Sequence, residues 1–140
     1  MNSSIQKTAL AGVIGTAVMT IVMFLAPMMG LPEMSAPELL AGMMGFPIIA
    51  GWVMHFVIGI IFALGYMFLF APKVKIKNLA VKGVVFGFAV FIFAQLAMAM
   101  MSVIMGPMPM LEGGMALIMI GSIIGHITYG IPVALVAKPQ

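Results

Sequence analysis

Four stretches of the chain are almost continuously apolar, roughly 8–29, 48–70, 79–105 and 114–137. Each is long enough to cross a bilayer, for which about 20 such residues suffice in a helix. Their apolar positions are unbroken instead of alternating at period two, so the pattern predicts four helices and not a barrel. The segments between them read differently. "APMMGLPEMSAPELLAGMMGFP" (26–47) is rich in Pro and Gly and too polar to span. Within it, "SAPELLAGMMG" predicts a short interfacial helix with Ser35 as N-cap and Pro37 in the first turn. "APKVKIKN" (71–78) predicts a short basic loop, and "GPMPMLEGG" (106–114) a turn. The first apolar run is longer than the core of a signal peptide and no small-residue cleavage site follows, so it is expected to stay as the first span.

The pattern also recurs. A shift of 71 residues with no gap lays Gly12-Val13 on Gly83-Val84, Leu40 on Leu111 and Gly42 on Gly113. It lays His55 on His126, Gly59 on Gly130, and Ala63-Leu64 on Ala134-Leu135. About 16 of the 60 positions from 7 to 66 match, where so biased a composition would give about five by chance. The repeat unit is a two-helix hairpin, running over about 7–70 in the first copy and 78–138 in the second. An even number of spans per copy keeps both in one orientation, related by a pseudo-twofold axis along the membrane normal. The expected fold is all-α, a polytopic four-helix membrane bundle made of two like-oriented hairpins in a single domain, 1–140.

Composition strengthens the membrane reading. The chain has 140 residues, 64% hydrophobic and only 6% charged, against about 25% charged in soluble domains. Charge gives the orientation. Lys73, Lys75, Lys77 and Lys82 flank the second loop, and Lys7 and Lys138 lie near the two ends. Four spans place all of them on one side and Glu33, Glu38 and Glu112 on the other. The positive-inside rule then puts both termini and loop 71–78 in the cytoplasm of a chain integral to the cytoplasmic (inner) membrane. The net charge of +3 serves orientation, and no nucleic-acid partner is expected.

Several activities lack their residues. There is no cysteine, hence no disulfide and no thiolate ligand. All basic residues are lysine, so no guanidinium fork is available for phosphate or carboxylate. No Asp or Glu lies inside a span, which removes an acidic ion relay. No buried acid completes a hydrolytic triad, and Ser122, four residues before His126, reads as packing. No Gly-rich phosphate loop opens a helix. The chain is expected not to be an enzyme.

The chemistry that is left centres on two histidines. Gly51, His55, Gly59 and Ala63 share one face of the second span, and Ser122, His126, Gly130 and Ala134 one face of the fourth. Such small-residue stripes let membrane helices approach closely, and polar groups in hydrocarbon usually face the bundle interior. From Phe70 at the inner boundary, His55 lies about 15 residues up, roughly 22 Å, in the outer half of the bilayer. Both rings are expected to point inward and to approach each other near the pseudo-twofold. One reading is structural, with each neutral imidazole bonded across helices to Thr16, Thr20, Gln95, Ser102, Ser122, Thr128 or a backbone carbonyl. A second is a b-type haem held by His55 and His126, with Gly59 and Gly130 making room beside the ring. A third is Cu(I), held by His55, His126 and the thioethers of Met101 and Met105. There are 18 methionines against 12 leucines. They run along the whole chain, as flexible apolar filler would.

At "GWVMHFVIGIIFALGY" and "GSIIGHITYGIPVALV" the chain resembles an uncharacterised family of small four-span prokaryotic membrane proteins. Their second span carries a G-W-x-x-H-F-x-x-G pattern, here Gly51, Trp52, His55, Phe56 and Gly59. Their last carries G-H-x-x-Y-G, here Gly125, His126, Tyr129 and Gly130. The likeness extends to the A-P-M-x-G-L-P segment after the first span. Pro132 departs from the pattern and could kink the last helix. The resemblance implies the fold and topology and no activity. The expected function is a non-enzymatic accessory subunit of a larger membrane complex. Its expected partners are the lipid bilayer and other membrane subunits, or a second copy. The alternatives are a haem or Cu(I) binder for electron transfer or metal handling, and a small transporter or channel.

Overall fold

The computed structural model describes residues 2–106 and 113–138. Leu111, Glu112, Met108 and Met110 therefore lie outside the described residues. The described chain is helical. α1 (Asn2–Leu25) runs into a 3-10 turn at Ala26–Met29, and α2 (Ala36–Met44) follows. α3 (Ile48–Gly65) continues through a π-turn at Tyr66–Phe70 into the single turn α4 (Ala71–Lys73). α5 (Leu79–Met105) and α6 (Met115–Val136) complete it. Four helical runs are long and apolar enough to cross a membrane: Ser4–Met29, Ile48–Lys73, Leu79–Met105 and Met115–Val136.

Local chemistry sets the boundaries. Gly30 (φ 85°) and Gly45 (φ 64°) end the 3-10 turn and α2 in the left-handed region, where only Gly escapes a steric penalty. Ser35 caps α2, its Oγ accepting from the Glu38 amide at 3.4 Å. Asn78 caps α5 by accepting from the amides of Ala80 and Val81. The second span outlasts its expected end at 70. Pro72 has no N–H for the Phe68 carbonyl, and the register slips there into the π-turn, with the Ala71 amide reaching back to Tyr66. The Lys82 ammonium donates to the Ala71 carbonyl at 2.9 Å and so covers the end of this run. α6 passes through Pro132 without a break.

α1 lies between α3 and α6, and α5 lies beside α6. Glycine permits these approaches. A Cβ on Gly12 would sit 2.7 Å from the Ile60 Cα, and one on Gly83 would sit 2.6 Å from the Ile131 Cα. Each pair is the other moved 71 residues along the chain. Gly15 of α1 meets Tyr129 and Val133 of α6. Between α3 and α5 the contact is made by rings instead, Phe62 on Phe93 (5.4 Å) and Tyr66 on Phe86 (4.9 Å). α2 lies on the start of α3, where Gly51 accommodates the Pro37 carbonyl.

The two ends differ. Toward the end carrying Lys7, Lys82 and Lys138 the interior is packed with Ala63, Tyr66, Phe86, Tyr129, Val133 and Ala134, and a separate groove beside Lys7 and Lys138 lies outside that core. The opposite end, where the 26–47 connection folds over the helices, is hollow.

Candidate functional site

Hydroxyls along α1 are satisfied locally. Thr8, Thr16 and Thr20 each donate to the carbonyl four residues earlier, each at 2.8 Å. This habit lets serine and threonine sit in apolar helices. Thr20 does one thing more. Its Oγ1 lies 3.1 Å from Nε2 of His55 on α3. A carbonyl can only accept, so the single hydroxyl hydrogen belongs to the Thr16 carbonyl. The oxygen then accepts from His55, and the proton of that ring sits on Nε2.

His126 on α6 is held the other way. Its Nδ1 lies 2.7 Å from the Ser122 carbonyl. That contact requires the proton on Nδ1. The partners of the two rings thus fix opposite tautomers. Nδ1 of His55 and Nε2 of His126 are left as lone-pair nitrogens with no hydrogen bond among the described residues. Neither is sealed in, since the Tyr66 hydroxyl is the one buried side-chain polar atom without a partner among these residues. Aromatic edges brace the rings, Trp52 and Phe56 against His55 and Phe91 against His126.

Both histidines border one cavity of about 590 Å³. All four long helices contribute to its wall. α1 supplies Met19, Thr20 and Met23, α3 supplies Trp52 and His55, α5 supplies Gln95 and Met98, and α6 supplies Met119, Ser122 and His126. Part of the 26–47 connection closes over it, bringing Glu33, Met34 and Glu38 to the lining. Gln95 donates to the Ser122 hydroxyl across the α5–α6 seam at 3.3 Å. The lining holds two carboxylates, two imidazoles and five thioethers, and no lysine. It is rich in electron-pair donors and presents no cation.

The structure brings His55 and His126 to this cavity and leaves the other expected site residues elsewhere. Gly59 packs against Thr16, and Gly130 against the Gly83 carbonyl and Gly87 backbone. They serve helix contact and leave no space for a ring. Met101 and Met105 lie near the end of α5 and do not line the cavity. The thioethers that do include Met19 and Met23, four residues apart on the face of α1 that carries Thr16 and Thr20. Met23 seats its sulfur against Gly125, next to His126, where a Cβ would be 2.9 Å away. The spacing of Met19 and Met23 with the threonines was the available signal for them. Glu33 and Glu38 carried no such signal, because their place depends on how the 26–47 connection folds back.

No curated protein and no solved structure matches the chain. Residues 2–138 match a family described as of unknown function (DUF6789), and the chain, with its four membrane-capable helices, belongs to that family.

Proposed function

We propose that this is a small, non-enzymatic protein of the cytoplasmic membrane that binds an electron-poor ligand, such as a metal cation, at its histidine pair. One observation carries the reading. Two imidazoles on different helices border one cavity, each tied down through one nitrogen and free at the other. A purely structural histidine would be expected to spend its bonding capacity on its neighbours. These two keep a lone pair in reserve. The cavity opens at the acidic end, and the lysines gather at the other. By the positive-inside rule the site faces outward and both termini lie in the cytoplasm. The two hairpins are read as copies of one unit, which accounts for a histidine at equivalent places in each.

Haem b fits this lining poorly. Propionates seek cations, and the charged groups here are carboxylates. Nε2 of His55 is also already engaged. A channel is disfavoured by the packed core below the cavity. The accessory-subunit reading has one observation of its own. α5 leaves Ile92, Phe93 and Leu96 exposed, an apolar face on which a partner helix could lie. Co-purification of a larger complex that falls apart when Phe93 is replaced by a charged residue would favour it.

The test is elemental analysis with an absorption spectrum of the purified protein. The expected outcome is bound metal, near one per chain, absent from His55→Ala and from His126→Ala. Metal retained in both variants, or a Soret band, would overturn the proposal.

A further inference from the structure

The donors at the cavity specify more than a cation. Among the described residues no three His, Asp or Glu side chains are grouped as they would be for a hard or borderline divalent ion. Two neutral imidazole nitrogens and nearby thioethers are left, a soft set whose other polar neighbours inside the cavity are the uncharged Thr20, Gln95 and Ser122. Such a set suits a monovalent d10 ion, which tolerates low coordination numbers and prefers sulfur and imidazole to oxygen. Net charge points the same way. With both imidazoles neutral the inner lining carries no negative charge to offset a divalent ion, and burying one would be costly.

Met23 supplies a sulfur on the wall that the two rings share. It lies three residues beyond Thr20, which holds His55, and its Sδ rests on Gly125, adjacent to His126. A side chain at 125 would displace that sulfur. Gly125 therefore acts as a seat for the thioether as well as a small residue in a helix stripe. Glu33 and Glu38, exposed at the rim, would attract a cation from the outer side without following it inward.

We infer that the cavity is a Cu(I) site in which Nδ1 of His55, Nε2 of His126 and the thioether of Met23 are the ligands. This rests on the binding reading above and names its ion and its donor atoms. Thr20 is then a positioning residue, fixing the tautomer that leaves Nδ1 free, as outer partners of metal-bound histidines do.

The experiment is an anaerobic titration of the purified full chain in detergent with Cu(I), against a chromophoric Cu(I) chelator, repeated with Zn(II). One Cu(I) per chain is expected to be withheld from the chelator, with Zn(II) not held. Met23→Leu keeps the side-chain volume, and Thr20→Val keeps the shape. Thr20→Val is expected to weaken binding about tenfold, the usual cost of losing such an outer partner. Met23→Leu should weaken it by a similar factor and remove the Cu–S shell from the X-ray absorption spectrum. Wild-type thermal unfolding in both variants establishes that they are folded. Wild-type protein that yields all its Cu(I) to the chelator would overturn the Cu(I) assignment. So would a Cu–S shell that persists in Met23→Leu. The broader reading has a separate readout, the ¹⁵N resonances of the two histidines with each ion added. If Zn(II) or another cation moves those resonances and Cu(I) does not, the ion is wrong and the site stands. If no cation moves them, both fail.

Discussion

Two buried tyrosines separate what an aromatic ring contributes from what its hydroxyl contributes. The Tyr129 hydroxyl donates across the bundle to the Gly59 carbonyl. The Tyr66 ring is fully buried between Phe70 and Phe86, and its hydroxyl finds no partner among the described residues. A buried polar group without a bond costs free energy, while a satisfied one contributes modestly. Tyr129→Phe should therefore lower stability by about 1 kcal/mol, and Tyr66→Phe should raise it by about the same. Reversible unfolding of the two variants in mixed micelles would measure both. A loss of stability in Tyr66→Phe would show that the hydroxyl is satisfied after all. Asymmetry at the residue scale recurs at the histidines. The 71-residue shift lays Thr20, the partner of His55, on Phe91, the aromatic neighbour of His126. Equivalent positions hold equivalent rings by different means, and that difference sets the opposite tautomers.

At the scale of elements, the helix pairs α1–α3 and α5–α6 are clamped at matching points. Gly12 on Ile60 and Gly83 on Ile131 leave no room for a methyl group, since the nearest atoms are backbone. Gly12→Ala and Gly83→Ala should each cost about 1–3 kcal/mol, because the helices must part to admit the new atom. Gly65 is also helical, yet nothing lies within 4 Å of where its Cβ would be. Gly65→Ala should instead stabilise, by up to about 1 kcal/mol from helix propensity. Thermal denaturation of the three variants side by side is the check, and equal behaviour of all three would discredit the clamp. Gly12 and Gly83 were legible in the chain only as matching positions of the 71-residue shift, and Gly65 not at all, whereas Gly59 and Gly130 stood out as small residues four from a histidine. The four spans and the Ser35-capped helix were legible too, from apolar length and from capping chemistry. The π-turn was not. It arises from one missing amide at Pro72 and one lysine reaching back from the next helix, and neither shows in hydropathy. The cavity was only half legible. Its histidines stand out in apolar sequence, but Glu33, Met34 and Glu38 reach it through a fold of the connection that no periodicity encodes. Met101 and Met105 show the converse. Their spacing of four suggested a shared face, which they have, but α5 carries that face past the end of the cavity.

For the whole molecule, the decisive feature is that a packed core closes the histidine cavity on its lysine side. A cavity that reaches His55 and His126 from the acidic end stops at a plug that includes Tyr66, Phe86 and Tyr129. The protein has no cysteine, so single cysteines can report access at chosen depths. Glu33→Cys at the rim and Ser122→Cys in the wall should both react with a small, membrane-impermeant thiol reagent applied to the outside of intact cells. Asn78→Cys, at the cap of α5 among the lysines, should react only after the membrane is opened. Val133→Cys, buried within the plug, should react from neither side. Labelling of Asn78→Cys from outside would invert the orientation and turn the site toward the cytoplasm. Labelling of Val133→Cys from both sides would mean that the plug opens, and a dead-end binding site would give way to a pathway. The pattern expected of a receptacle is access to Ser122 from one side only.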